Sequence, residues 1–264
     1  MLHIGAVTLL TIVHLTAGRD ALLVLAGFGA GLFNGVAGGG TLISFPVLLA
    51  LGYPAIVANV TSTVGIWPGY LGGVAGFRRE IAEQRDHFRM LAPVTIVGAT
   101  VGAILLLTTP SSAFTRLAPW LVLFASALFA IGPLLTRWLA GEESMLRTRP
   151  VALGIGIFLA ALYGGYFGAA MGVIILAVLG LTLPDTLARA GGIRTILSVL
   201  ANGVAAIVFI IHGHLQWGAA GLLAAGCLVG GYVGAALARK LPSSILRVIV
   251  IAIGLATGIR LLVG

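Results

Sequence analysis

Long apolar runs separated by short charged connections set the pattern of this 264-residue chain. Six stretches hold no Asp, Glu, Lys or Arg: Ala21–Phe77, Met90–Thr115, Leu117–Thr136, Pro150–Pro184, Thr195–Ala238 and Val248–Ile259. A helix crossing a bilayer needs roughly 20 predominantly apolar residues. All but the last run reach that length, and the longest hold more than one span. The runs are solidly apolar, whereas strands of a membrane β-barrel alternate apolar and polar over about 10 residues. The pattern therefore predicts an all-α polytopic membrane protein.

Within the runs, glycine and proline mark where helices stop. Gly27–Gly52 contains Gly35, the triplet Gly38-Gly39-Gly40 and then Pro46. Gly154–Gly180 contains Gly164-Gly165, Gly168 and Gly172. Glycine frees the backbone from helical geometry, and proline removes a donor. Irregular backbone at membrane depth survives only inside protein or against a water-filled cavity. The competing explanation is close helix packing through small residues. It suits Gly226, Gly230 and Gly234, spaced four apart, and Gly27, Gly31 and Gly35 share that spacing. After each broken stretch, Gly52-Tyr53-Pro54 and Thr182-Leu183-Pro184-Asp185 read as a helix end followed by a new start. The remaining spans are expected near 55–77, 90–109, 114–138, 185–211, 217–238 and 245–262.

The chain also repeats itself. At an offset of 132, Gly98–Ser112 overlays Gly230–Ser244 with eight identities in fifteen. At an offset of 130, Gly35 pairs with Gly165, Gly38 with Gly168, Pro54 with Pro184 and Ala58 with Ala188. Two homologous repeats of about four hydrophobic segments follow, at residues 21–140 and 151–264. An apolar segment (1–20) precedes them and a charged linker (141–150) joins them. Internal repeats are a common transporter plan, with the substrate site near the bilayer midplane.

Charge distribution orients the halves. The Phe77–Met90 loop carries Arg78, Arg79, Arg85 and Arg89, which places it in the cytoplasm. Its repeat partner, His212–Trp217, has no Lys or Arg. At the next loop the bias reverses: Thr108–Thr115 has none, and its partner holds Arg239, Lys240 and Arg247. Opposite bias favours inverted repeats with a re-entrant hairpin opening each half. A full crossing of that segment would instead make the halves parallel.

Composition narrows the function. Hydrophobic residues make up 59% and charged residues only 8%, with a mean hydropathy of +1.15. Soluble domains carry about 25% charged residues. The net charge of +8 resides in connecting loops, so it argues for membrane orientation and against nucleic acid. Cys227 is the single cysteine, which excludes an intrachain disulfide or a cysteine metal cluster. The first 18 residues lack a basic n-region and are expected to form an interfacial or extra helix rather than a signal peptide. No cofactor is expected.

All seven acidic residues lie in loops or at helix ends, so a carboxylate proton relay inside the bundle is not expected. Arg194, by contrast, falls about ten residues into the 185–211 span. An arginine at such depth costs about 2.5–3.5 kcal/mol on the insertion scale. An anionic substrate would offset that cost, and so would snorkelling or bonds to backbone carbonyls freed at the breaks. Small polar residues gather in matching places: Asn34 and Thr41 around the triplet, Asn59, Thr61, Ser62 and Thr63 on the next helix, and Thr195, Ser198 and Asn202 after Arg194. Such residues also bond neighbouring helices in membranes. A half-helix starting near Thr41 would aim free N–H groups and a positive dipole end at the interior.

The segments Asn34–Pro46 (NGVAGGGTLISFP), Ala58–Thr63 (ANVTST), Tyr163–Gly172 (YGGYFGAAMG) and Arg194–Asn202 (RTILSVLAN) together resemble the TauE/SafE family. So does His212–Trp217 followed by Gly230–Ala235. The resemblance spans about residues 21–264. It implies a multi-pass permease of the bacterial inner membrane that exports sulfite or an organosulfonate. It also implies roles for Gly38, Gly39, Gly40 and Gly168 of the glycine signature and for Arg194. The family often reads Thr-Ser-Lys where this chain has Gly191-Gly192-Ile193-Arg194, so the resemblance does not fix the anion.

The expected partners are a small anionic substrate and the lipid bilayer, with a homo-oligomer left open. The expected site comprises Arg194, Asn34, Gly38, Gly39, Gly40, Thr41, Asn59, Thr61, Ser62, Gly168, Thr195, Ser198 and Asn202. The alternatives are a carrier of another small organic anion or a membrane assembly protein using its glycine faces for partners. An enzyme is not expected, because the spans hold no plausible nucleophile–base pair.

Overall fold

The computed structural model describes residues 2–36, 39–141, 150–183, 187–237 and 243–263. Gly38, linker residues 142–149, Pro184, Asp185, Arg239 and Lys240 lie outside them. Among the described residues there are helices and turns but no strand. Helix α1 runs Leu2–Val36, α2 Thr41–Ala50, α3 Ala55–Ile66, α4 Tyr70–Gly76, α5 Arg78–Glu83 and α6 Arg85–Thr108. Helix α7 covers Ser111–Gly141, α8 Pro150–Tyr166, α9 Met171–Thr182, α10 Leu187–His212, α11 Trp217–Leu237 and α12 Ser243–Val263. Among the described residues, four segments are long and apolar enough to cross a membrane: Arg85–Thr108, Ser111–Leu134, Arg189–His212 and Trp217–Gly234. The chain is an all-α polytopic membrane protein.

The helix ends follow the expected punctuation with two adjustments. Pro46 lies inside α2, so the first interruption belongs to the glycines alone. The expected 55–77 span is divided by a 3-10 turn at Trp67–Gly69, where Pro68 occupies the first helical positions and lacks an N–H. Dihedrals there stay right-handed helical, so one turn tightens and the chain does not reverse. Gly52 takes φ +84 after α2, as a left-handed terminating glycine does.

Glycine contacts reveal which way the helices run. Gly27 and Gly31 of α1 pack on the backbone of Leu223 and Cys227, while Gly226 and Gly230 of α11 pack on Val24 and Phe28. Numbers rise together, so α1 and α11 are parallel. Gly98 meets Phe158, Gly102 meets Leu162 and Gly165 meets Ala99, which makes α6 and α8 parallel. These two seams correspond residue by residue. Phe28 and Leu32 lie 130 positions before Phe158 and Leu162, and Gly98 and Gly102 lie 132 before Gly230 and Gly234. Lipid tails are as apolar as leucine, so helices here gain from close van der Waals contact, and glycine permits it. The packing reading of these glycines and the break at the triplet both hold, at different residues.

Both short apolar helices fold back on their predecessors. Gly29 meets Ile43 and Gly40 meets Ala30, so α2 runs antiparallel to α1. Arg19 Nη2 donates to the Leu51 carbonyl at 3.3 Å and lies over the Tyr53 ring, so the hairpin returns to the level where it entered. Gly156 meets Val178 and Gly164 meets Met171, so α9 likewise returns along α8. α10 runs antiparallel to α3 and α4, with Gly213 on Val60, Gly203 on Trp67 and Gly191 on Phe77. α7 and α12 are antiparallel, with Gly254 on Ser126 and Gly258 on Leu123. The core around these hairpins includes Phe33, Phe45, Phe129, Phe167 and Phe209, with Phe45–Phe167 and Phe33–Phe129 meeting edge to face.

Candidate functional site

The first N–H groups of a helix have no intrahelical acceptor, so a helix that starts inside a membrane protein must find one elsewhere. For α2 the Gly39 and Gly40 carbonyls accept from the Leu42, Ile43 and Ser44 N–H groups, and the N–H groups of those two glycines go to Asn34, in the last turn of α1. Its Oδ1 accepts from the Gly39 N–H at 3.0 Å and the Gly40 N–H at 2.7 Å. A Cβ at Gly40 would lie 2.5 Å from the Ala30 carbonyl, and one at Gly39 would strike the Phe129 ring, so this tight return needs glycine. Ser44 Oγ bonds the Gly40 carbonyl at 3.2 Å and Ser62 Oγ at 2.6 Å, tying α2 to α3.

The second interruption is built from backbone conformation. After Tyr166 the N–H groups of Phe167 and Gly168 both donate to the Tyr163 carbonyl, at 2.9 and 3.2 Å. Gly168 takes φ +82 and Ala170 φ +61, and α9 starts without a side-chain cap. Asn59 Nδ2 reaches over from α3 and bonds the Tyr166 carbonyl at 2.9 Å, holding the tip of α8 against the first half.

The two interruptions meet. A Cβ placed on Gly168 would lie 3.3 Å from Asn202 Oδ1 and 3.8 Å from Thr41 Oγ1. Thr41 opens α2 and Gly168 precedes α9, so the starts of both half-helices converge here, beside the middle of α10. Asn202 Nδ2 donates to the Ser198 carbonyl at 2.9 Å, which leaves Oδ1 turned outward. Asn202 Oδ1, Asn34 Nδ2 and Asn59 Oδ1 are buried and have no hydrogen-bond partner among the described residues. Two positive dipole ends thus meet near buried polar atoms that have no partner among the described residues.

Arg194 stands apart from that junction. It is the eighth residue of α10, about 12 Å along the helix from Asn202 by the rise per residue. Near it, Gly192 packs on Glu80 of α5, and Arg189 pairs with Glu83 at 3.3 Å. The Arg194 level therefore lies toward the Arg-rich loop end of the bundle. Arg194 is half-buried and interacts electrostatically with Tyr70, whose side chain is buried beside Cys227 and Ile66. Thr195 turns its hydroxyl to the Gly191 carbonyl at 2.8 Å, and its methyl lies 3.3 Å from where a Cβ on Gly73 would be.

The expected site residues thus divide. Asn34, Gly39, Gly40 and Thr41 form one interruption, and Gly168 with Asn202 meets it, with Ser198 holding Asn202. Asn59 braces the second interruption, and Ser62 braces α2 through Ser44. Thr61 accepts from the Gln216 N–H at 3.0 Å and fastens the turn before α11. Arg194 and Thr195 lie nearer the α5 end of the bundle, where Gly73 faces both the Thr195 methyl and the Asn34 carbonyl. Tyr70 and Ser44 were not anticipated. Ser44 lies three residues past Thr41 and was legible as part of the same polar cluster, whereas nothing in the sequence marks Tyr70 as the neighbour of Arg194. No group of three or more His, Cys, Asp or Glu comes together among the described residues.

Comparison with known proteins agrees with a membrane carrier. The family model described as sulfite exporter TauE/SafE matches residues 23–261. A Haemophilus influenzae protein described as "Probable membrane transporter protein" is 27% identical, over 88% of this chain and 89% of that protein. The Escherichia coli "Probable membrane transporter protein YfcA" is 26% identical, over 88% of this chain and 86% of its own length. A Sinorhizobium protein, "Probable membrane transporter protein ORF9", is 26% identical over 92% of both chains.

Proposed function

The chain belongs to the sulfite exporter TauE/SafE family of membrane transporters, and from that premise we propose that it carries sulfite or a related organosulfonate across the bacterial inner membrane. The observation that carries this reading is the convergence of the α2 and α9 starts at Thr41 and Gly168, beside Asn202. Half-helix N-termini at mid-depth suit anionic groups in carriers of this general plan. The two halves act as inverted repeats. The parallel α1–α11 and α6–α8 seams and the two re-entrant hairpins support this, because equivalent helices α1 and α8 then point in opposite directions.

Alternating access follows as relative motion of the halves around the junction. Each opening hairpin is seated on a helix of the other half, so a hairpin moves with its partner's half. Arg194 serves as the cytoplasmic selector. It lies toward the end bearing Arg78, Arg79, Arg85 and Arg89, where a positive approach raises the local concentration of anions. Its matched position in the other half carries no charge, so attraction is one-sided and favours loading from the cytoplasm.

The test is sulfite flux in proteoliposomes. Arg194→Gln is expected to lower the rate at least tenfold at low substrate, with partial recovery as substrate rises, since the residue recruits rather than holds the anion. Wild-type rates at all concentrations would overturn this role. Absence of any anion flux from the purified wild-type protein would overturn the transport reading.

A further inference from the structure

We propose that the central junction selects a monoanion that carries its own hydrogen-bond donor, such as a hydroxylated sulfonate or the protonated form of sulfite, read by Asn202 Oδ1. The proposal rests on the anion-transport reading and narrows its substrate class.

Asn202 is 1% exposed, and its amide orientation is fixed by the bond from Nδ2 to the Ser198 carbonyl. Oδ1 is therefore an acceptor 3.3 Å from a Cβ position on Gly168, without a hydrogen-bond partner among the described residues. The carbonyl of Gly164 lies 3.2 Å from the same position, so the two acceptors close on one point and the neighbours must give for a ligand to enter. An anion bearing only acceptor oxygens would set oxygen against oxygen on this side. An O–H or N–H on the ligand supplies what these atoms require.

The negative end of the same ligand faces the other way. The Thr41 hydroxyl, 3.8 Å from the same Cβ position, supplies a donor, and the starts of α2 and α9 supply positive dipole ends. Two kinds of protein atom thus read two parts of one small molecule. A buried acceptor left unpaired is costly, and a site built to bond a substrate hydroxyl rejects the analogue lacking it far more strongly than a pocket rejects a missing methylene. Where the donor is the acid's own O–H, the proton crosses with the anion, which accounts for transport without a carboxylate in the spans.

The test compares 2-hydroxyethanesulfonate with ethanesulfonate by thermal shift of the purified full-length protein and by competition against sulfite flux in proteoliposomes. The hydroxylated probe is expected to bind about tenfold tighter or more. Asn202→Leu is expected to bring that ratio near one. A second arm measures sulfite flux across a pH series at constant total sulfite, where the rate should follow the monoprotonated fraction. Equal binding of the two sulfonates together with flux that follows the dianion overturns the proposal and leaves anion transport standing. A hydroxyl preference without the pH effect assigns the site to organosulfonates, and the reverse assigns it to protonated sulfite. If Asn202→Leu does not fold, the wild-type pair decides. Binding of neither probe, with no sulfite flux, overturns both this proposal and the reading beneath it.

Discussion

The two interruptions, around Gly39 and around Gly168, are closed by different means. Around Gly39 and Gly40 the loose backbone donors are taken by one side chain, Asn34 Oδ1, so the first hairpin is satisfied from within its own half. Around Gly168 and Ala170 no side chain caps α9, and the turn is set by two left-handed residues. The polar atom facing this second turn, Asn202 Oδ1, comes from another helix and makes no bond there. Each interruption has beside it one buried side-chain atom without a hydrogen-bond partner among the described residues, the donor Asn34 Nδ2 at the first and the acceptor Asn202 Oδ1 at the second. In both, carbonyls just before the helix take its first N–H groups: Gly39 and Gly40 before α2, Gly168 and Ala170 before α9.

That contrast can be broken most severely at Asn34. Asn34→Ala leaves two buried N–H groups without their acceptor, at about 1–3 kcal/mol each. Thermal unfolding in detergent should reveal a loss of about 2–6 kcal/mol, enough to reduce folded yield. A melting temperature unchanged from wild type would show that the first turn does not depend on this amide.

A smaller effect is expected at Gly168→Ala. The residue holds φ +82, where an L side chain costs about 1–2 kcal/mol. The added methyl would also stand 3.3 Å from Asn202 Oδ1, in the space assigned to the ligand. Flux should fall further than the modest stability loss explains, which a parallel melt and transport assay would separate. Loss of stability with normal flux per folded molecule would remove Gly168 from the site.

The smallest expected change is at Ala170→Gly. Ala170 takes φ +61, and glycine relieves that strain while giving back about 0.5–1 kcal/mol of chain entropy. A net gain below about 1 kcal/mol in stability is expected, with little change in ligand preference. A large destabilisation would mean that the Ala170 methyl packs in a way the left-handed turn requires.

Much of the fold was legible in the sequence. The spans expected at 90–109, 217–238 and 245–262 end within a few residues of α6, α11 and α12. This legibility has a simple cause: lipid forces each span to satisfy its own backbone, so length and apolarity suffice to find it. The 3-10 turn inside 55–77 was missed although Pro68 was visible, because a proline early in a turn can be absorbed without changing direction. The site was legible as a set of residue types and illegible as a geometry. Asn34, Thr41, Gly168 and Asn202 were all singled out, but their division from Arg194 was not.

What the amino-acid sequence determined alone was the all-α membrane class, most of the span ends and the shortage of internal carboxylates. Each depends on neighbours along the chain, through hydropathy, glycine and proline. What the tertiary structure decided was pairing across the halves: α1 on α11, α8 on α6, Asn59 on the Tyr166 carbonyl 107 residues away, and Asn202 beside Gly168. Those contacts rest on how closely two backbones approach and on which face of a helix meets its neighbour. Local periodicity carries neither quantity, so the meeting of the two half-helix starts, and the level at which Arg194 stands, exist only once the halves are packed.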